Sequence, residues 1–118
     1  MSAQWPKRDP IKNCFVTPNE LFSLGLEAGE IAVYSYLLRC KDRRTHQCWP
    51  SYQTIGKAVG MSKKTVRKYV SMLENKRLIA TEQTTVQRRD GRKQKGNLLY
   101  TIRPIHEAVE CFHARQMA

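Results

Sequence analysis

The chain has 118 residues, which is enough for one domain with one modest core, and 41% of its residues are hydrophobic. Its formal net charge of +11 predicts a polyanionic partner, with nucleic acid ahead of an anionic membrane surface. No stretch approaches the ~20 apolar residues of a membrane span, and the first ten residues lack the apolar segment of a signal peptide. These features favour a cytoplasmic protein.

The sequence lacks the patterns that carry catalysis or bind cofactors. It has no phosphate-binding glycine loop, no paired-carboxylate cluster and no local signature of a Ser/His/Asp or Cys/His set. Two pairs with one intervening residue, His46 with Cys48 and Cys111 with His113, offer zinc ligands, but the usual C-x₂₋₄-C spacing is missing. We expect no enzyme, cofactor or metal, and we interpret the four cysteines as reduced thiols.

In chain order, residues 1–16 are predicted to form a flexible basic arm. Thr17-Pro18-Asn19-Glu20 fits a capping box at the start of a short helix, which Gly25 ends. A largely buried helix is predicted over residues 27–42. Its inner face is expected to contain Ala28, Ile31, Ala32, Ser35 and Leu38. The apolar surface is expected to extend around this face through Tyr34, Tyr36 and Leu37.

Two further helices follow a short connection in which Trp49 is expected to belong to the core or to cover it. Ser51 is predicted to cap the first of them, and Gly60 to end it in a left-handed conformation. Ser62 is predicted to cap the second. The expected inward residues are Ile55, Ala58 and Val59 on the first helix, and Val66, Tyr69, Val70 and Leu73 on the second.

The segments "RLIATEQTTV" and "NLLYTIRP" have the composition of strands, and Asp90-Gly91 lies between them as a turn signal. They predict a β-hairpin with a basic tip. A last helix, over residues 104–118, has an apolar stripe of Ile105, Val109 and Phe112. Such a short helix is not stable alone in water, so the stripe must be buried. Either its own domain or the same helix of a second subunit can bury it, and we expect the second arrangement, a homodimer.

The basic residues are concentrated in two segments. Residues 62–77 contain six basic residues and one acidic residue, and residues 86–95 contain five and one. Two helices joined by the tight turn Gly60-Met61-Ser62 match a helix-turn-helix unit, in which one face of the second helix packs inward. Its other face is positive and fits the major groove of B-DNA. The basic hairpin is expected to reach phosphates or a minor groove beside it.

The stretch "WPSYQTIGKAVGMSKKTVRKYVSMLENKRLI" resembles winged helix-turn-helix modules of replication initiators and small regulators from plasmids, phages and conjugative elements, especially of Firmicutes. The resemblance covers about residues 17–103 and implies a mainly α fold with a β-hairpin wing that binds double-stranded DNA. By this resemblance, the residues at positions where such modules contact DNA are Ser62, Lys63, Lys64, Thr65, Arg67 and Lys68. Adding the helix start and the hairpin, the full predicted site also contains Ser51, Tyr52, Gln53, Arg88, Arg89, Arg92, Lys93 and Lys95.

The biological role follows less directly from these patterns. Initiators usually continue into a larger second domain, and this chain stops at residue 118, which favours a stand-alone transcriptional regulator of a mobile element, acting at a bacterial nucleoid. The alternatives are a replication or conjugation accessory protein that binds an origin, and a protein-interaction adaptor that uses its C-terminal helix.

Overall fold

The computed structural model describes residues 14–117, so residues 1–13 of the predicted N-terminal arm lie outside the described residues. A short 3₁₀ helix, Asn19–Ser23, precedes the regular elements. These are α1 (Ala28–Cys40), β1 (Gln47–Cys48), α2 (Tyr52–Val59), α3 (Lys63–Asn75), β2 (Ile79–Gln87), β3 (Lys93–Ile102) and α4 (Ile105–Met117). The order confirms the predicted mainly α fold with a β-hairpin wing.

The predicted capping box at Thr17 is wrong. The first short helix is a 3₁₀ helix that begins after Pro18 and has no side-chain cap. Its function in the fold is to bury Leu21, whose N–H is bonded to the Pro18 carbonyl. A capping interaction occurs instead at α1, where a carboxylate oxygen of Glu30 accepts the Glu27 N–H at 3.0 Å.

Helix α1 is largely buried, as predicted, and Leu38 of the predicted inner face is buried, but the buried stripe is centred on other residues. Ala28 is exposed, and the central buried stripe contains Gly29, Val33 and Leu37. A Cβ built on Gly29 would lie 2.3 Å from the ring of Tyr69 in α3, so the missing side chain lets the two helices approach closely. This contact, which apolar periodicity does not reveal, rotates the inner face of α1 away from Ala28.

Helices α2 and α3 form the predicted helix-turn-helix. The Ser51 hydroxyl accepts the Thr54 N–H at 3.0 Å, and the Ser62 hydroxyl accepts the Thr65 N–H at 3.3 Å. Gly60 is left-handed, with a φ of 74°, as predicted. Ala58, however, is exposed, because the short α2 packs through Ile55 and the neighbouring glycine at position 56.

Replacing Gly56 tests how tightly this turn is closed. Its carbonyl accepts the Met61 N–H at 2.9 Å, and a Cβ at position 56 would lie 2.3 Å from the Met61 carbonyl oxygen. Helix propensity alone predicts that Gly56→Ala stabilises the protein by about 1 kcal/mol. Because the clash is with backbone, we expect a loss of about 1–3 kcal/mol instead in urea unfolding. A control variant at the exposed position, Ala58→Gly, should cost about 1 kcal/mol. A Gly56→Ala protein as stable as wild type would contradict the clash.

The hairpin is longer than its sequence suggested and belongs to a three-stranded antiparallel sheet with the order β1-β3-β2. Strand β1 was not predicted, because two residues are too short for an alternating pattern. The strand pairing runs from Ile79 opposite Ile102 to Gln87 opposite Lys93, so the connecting loop is only residues 88–92. Gly91 has a φ of 85° in that loop, consistent with the predicted turn.

The register of the hairpin shifts once. Gln83 is paired with Leu98 and Thr85 with Lys95, so one residue of β2 lies opposite two residues of β3, Gly96 and Asn97. This β-bulge separates the half of the wing that packs on the helices from the exposed half that ends in the basic loop.

Trp49 does not belong to the core, which was one of the two positions predicted for it. Its side chain is 54% exposed. The adjacent Cys48 is buried and pairs with Tyr100 of β3, so the alternation of a strand turns Trp49 towards the opposite, outer face of the sheet. Tyr34 of α1 is buried, whereas Tyr36 is only partly buried.

Helix α4 packs on its own domain. Ala108 is buried, and Ile105, Val109 and Phe112 are partly buried against the core. The helix contacts the 3₁₀ helix, and an Arg115 guanidinium nitrogen donates to the Asn75 carbonyl at the end of α3, at 2.9 Å. The stripe is therefore covered in part by its own domain, one of the two arrangements that the sequence left open.

Candidate nucleic-acid interface

The outer face of α3 is a basic surface whose position follows from the helix period. Val66, Val70 and Leu73 are buried and fix the inner face of α3 against the rest of the domain. The basic side chains of α3, all exposed, are Lys63, Lys64, Arg67 and Lys68. Lys68 also lies over the Tyr69 ring, with its Nζ 5.3 Å from the ring centroid.

The acidic residues of the two basic segments are held in local structure. Both the N–H and the hydroxyl of Thr81 donate to the Glu74 carboxylate. The Arg92 N–H donates to the Asp90 carboxylate at 3.0 Å. Within residues 14–117, the only ion pairs are Lys76 with Glu30 and Arg103 with Glu107. The charges on the outer face of α3 are thus not neutralised by a protein carboxylate of the described chain.

Lys76 does not contribute to this surface, although the sequence counted it in the basic segment. Its Nζ lies 2.8 and 2.9 Å from the two carboxylate oxygens of Glu30, which is fully buried. A charge count along the chain therefore overstates the free positive charge of α3, which lies in its first two turns.

Three predicted site residues have a structural use. The hydroxyls of Ser51 and Ser62 cap α2 and α3, and the Thr65 hydroxyl lies 3.0 Å from that of Ser62. Each cap binds the third N–H of its helix, while the first intrahelical bonds run from Ile55 and Val66. Since the first two N–H groups of each helix have no intrahelical acceptor, both helix starts present donors that suit an anion.

The basic residues of the wing are all exposed: Arg88, Arg89, Arg92, Lys93 and Lys95. Arg88 already forms hydrogen bonds within the wing. Its Nε donates to the Gln94 side chain at 2.7 Å, and its backbone N–H donates to the Arg92 carbonyl at 2.8 Å. Lys93 and Lys95 are two apart on β3, so they lie on the same face of the wing.

A cleft joins part of the predicted site to residues that the sequence did not indicate. Ser51 and Tyr52 line it from the start of α2, and Arg67 lines it from α3. The remaining lining residues are Pro50, Gln83, Gly96, Asn97, Leu98 and Tyr100. Gln53 is exposed outside the cleft, as are the basic residues of the wing loop. The contribution of the sheet depends on strand register and on the bulge, which have no local sequence signal.

The structure of residues 14–117 also shows what these residues offer for metal binding, thiol chemistry and membrane insertion. Residues 14–117 contain no group of three or more His, Cys, Asp or Glu side chains placed to hold a metal ion. Of the two His–Cys pairs, one includes the buried Cys48 of β1 with His46 just before the strand, and the other lies in α4. Burial raises the pKa of the Cys48 thiol to about 11, so it stays protonated. No helix within the described part of the chain is long and apolar enough to cross a membrane.

Comparisons with known proteins agree with this architecture. Residues 24–79 match the family described as "Helix-turn-helix domain". No curated protein matches the sequence. A solved structure described as "Possible transcriptional regulator from Methanosarcina mazei Go1" is similar, with a TM-score of 0.55 over 86% of this chain and 84% of that one, at 16% identity. The matched segment contains α1 to α3, and with the hairpin of β2 and β3 beside these helices the chain has a winged helix-turn-helix fold.

Proposed function

We propose that the protein binds double-stranded DNA sequence-specifically and regulates transcription, as a cytoplasmic, nucleoid-associated regulator of a mobile genetic element. Helix α3 enters the major groove, and the wing follows the adjacent backbone. The reference to a mobile element rests on the resemblance of residues 49–79 to modules from plasmids, phages and conjugative elements.

One observation carries the proposal. The exposed face of α3 presents unpaired basic side chains at the outer surface of a helix-turn-helix, and no carboxylate of residues 14–117 forms an ion pair with them. A basic helix face that only contacts solvent would not require a helix-turn-helix or a second basic segment in the wing. The combination is typical of a surface that binds the phosphates and base edges of a duplex.

Selection of bound sequences from a random duplex pool tests this function. We expect enrichment of one motif, with specific affinity at least about 1,000-fold above that for unrelated duplex. An enriched site next to the protein's own gene favours a regulator, whereas repeats at a replication origin favour an accessory role. Binding without any enriched motif would contradict sequence-specific recognition.

The wing is expected to act through charge rather than through base reading. Replacing Arg89, Lys93 and Lys95 by glutamine should weaken binding to all duplexes alike. Each lost phosphate contact should reduce the slope of log K against log salt by about 0.9, which salt titrations of binding measure. As a matched control, replacing both lysines by arginine keeps the charge and should keep the slope. A loss of sequence preference at constant slope would show instead that the wing reads bases.

We also propose that the protein binds as a homodimer through α4. The apolar stripe of this helix is only partly covered by its own domain, and Phe22 and Met117 are highly exposed. A two-fold dimer requires an inverted repeat with half-sites about 34 Å apart or a multiple of that distance. Sedimentation at micromolar concentration and the symmetry of the selected motif test the dimer. A monomer on a site without symmetry would contradict it.

A further inference from the structure

A further basic segment lies outside the surface formed by α3 and the wing. Residues 39–46 contain four basic residues, one acidic residue and a histidine. They form the end of α1 and the connection to β1, residues 41–46, which we call the α1–β1 loop. Arg39, Arg43 and Arg44 are exposed, and Lys41 is half-buried. Contact with a single duplex through α3 and the wing does not account for this charge.

The α1–β1 loop is held in place by backbone hydrogen bonds. The Asp42 N–H donates to the Gln47 carbonyl at 2.9 Å, and the His46 N–H donates to the Asp42 carbonyl at 2.8 Å. The His46 carbonyl accepts the Ile102 N–H of β3 at 2.9 Å, and the backbone of His46 is left-handed, with a φ of 58°. These bonds anchor the loop to the sheet, so its two arginines extend from an ordered backbone.

The acidic residue of the loop does not pair with its arginines. The Asp42 carboxylate accepts the N–H groups of Arg44 at 2.7 Å and Thr45 at 3.2 Å, and these bonds hold the pKa of the Asp42 carboxyl below its usual value. Neither Arg43 nor Arg44 forms an ion pair within residues 14–117. Both guanidinium groups can therefore bind an anion from outside the described chain.

The α1–β1 loop and the loop of the wing lie at opposite ends of the sheet. Gln47, the first residue after the α1–β1 loop, is opposite Thr101 near the end of β3, whereas the wing loop comes before Lys93 at the start of β3. The residues from Lys93 to Thr101 span about 25 Å of strand. At its other end, β1 leads to Ser51 in the cleft beside Arg67. The α1–β1 loop is therefore a basic surface separate from that of α3 and the wing.

We propose that the α1–β1 loop binds the phosphate backbone of a second DNA duplex while α3 and the wing hold the first. Exposed arginines suit this partner, because a guanidinium donates to two phosphate oxygens at once. The inference rests on the proposed DNA-binding function, since a protein bound to one duplex has other DNA segments as its most abundant polyanionic neighbours. It adds to that function the joining of two DNA segments.

Capture of a second duplex tests this proposal. A short duplex that carries the selected site is immobilised and saturated with protein, and a labelled duplex without the site is added. Wild type should retain the labelled duplex. Replacing Arg43 and Arg44 by glutamine should weaken retention roughly tenfold or more, because hydrogen bonds to charged groups are lost. The slope of log K against log salt for retention should fall by about 0.9 for each lost phosphate contact. Affinity for the immobilised site should stay unchanged.

Two control variants show whether the position of the charge matters. Arg43→Lys with Arg44→Lys keeps the charge of the loop and should keep most of the retention. Arg77→Gln with Arg115→Gln removes the same charge near α4 and should retain the labelled duplex like wild type. If this second control loses as much retention as the glutamine variant of the loop, net charge alone explains capture and the proposal fails.

Other outcomes would assign the charge of the loop differently and overturn the proposal. Undiminished capture by the glutamine variant of the loop would mean that α3 of another subunit holds the second duplex. Tighter binding of wild type to a site with long flanks, lost in the loop variant and without capture, would place the loop on the same duplex. Poly-glutamate that displaces the labelled duplex as well as unlabelled duplex does, at equal charge, would indicate a surface for acidic proteins.

The same experiment separates this inference from the proposed function. Wild type that holds its site but captures no second duplex refutes the second contact and leaves the proposed function intact. Wild type that binds no duplex refutes the proposed function, and the second contact fails with it.

Discussion

Replacing Lys64, Arg67 and Lys68 together by alanine should abolish specific binding while the protein stays folded. All three side chains are exposed on α3, and alanine favours a helix. A residue that contacts a base edge contributes about 1–3 kcal/mol. The triple variant should therefore lose roughly 100-fold or more in affinity for the selected duplex. Circular dichroism should be unchanged, and titrations of labelled duplex at several salt concentrations measure the loss.

The matched control removes the same charge from the other end of the domain. Arg77, Arg103 and Arg115 lie around α4 and the end of α3. Replacing them by glutamine lowers the net charge equally, so long-range attraction weakens by the same amount in both proteins. If the two triple variants lose affinity equally, net charge alone explains the binding and α3 does not enter the groove. Among single variants, a loss that varies with sequence marks a base contact, and a uniform loss marks a phosphate contact.

Lys76→Met, at the residue that follows the last turn of α3, should cause a large loss of stability. Glu30 is 0% exposed, and the Lys76 side chain, 27% exposed, provides its only countercharge in residues 14–117. Methionine keeps the apolar stem but leaves a carboxylate buried without a partner. Breaking a buried pair on one side costs about 3–5 kcal/mol, and we expect a value near 3 because Lys76 retains some contact with water. Urea unfolding at neutral pH measures it.

A second substitution shows whether the unpaired charge of Glu30 causes the loss of stability in Lys76→Met. Adding Glu30→Gln to Lys76→Met removes the charge and keeps an oxygen for the Glu27 N–H, so most of the loss should be recovered. As a control, Arg103→Met breaks the exposed pair with Glu107 and should have little effect on stability. If the double variant is no more stable than Lys76→Met, the packing of the lysine stem, rather than its charge, anchors the end of α3.

The helix-turn-helix and the wing were predictable because their signals are local. A serine cap bonds to an N–H three residues later, and Gly60 takes up a left-handed φ at the end of its own helix, so the caps and the turn appear in a short stretch of sequence. The buried face of α3 was correct for the same reason, since a 13-residue helix shows its period clearly. The basic surface of α3 and the Asp90-Gly91 turn of the wing follow from these elements.

Only the tertiary structure decided the features that depend on residues far apart in the chain. The inner face of α1 depends on Tyr69 packing over Gly29, and the burial of Glu30 depends on a lysine 46 positions away. Trp49 became exposed through a two-residue strand that exists only because β3 pairs with it. The cleft at Tyr100 depends on the bulge and on three separate elements. Helix capping, helix period and charge can be read from the local sequence, whereas contacts between residues far apart in the chain form only when the whole domain folds.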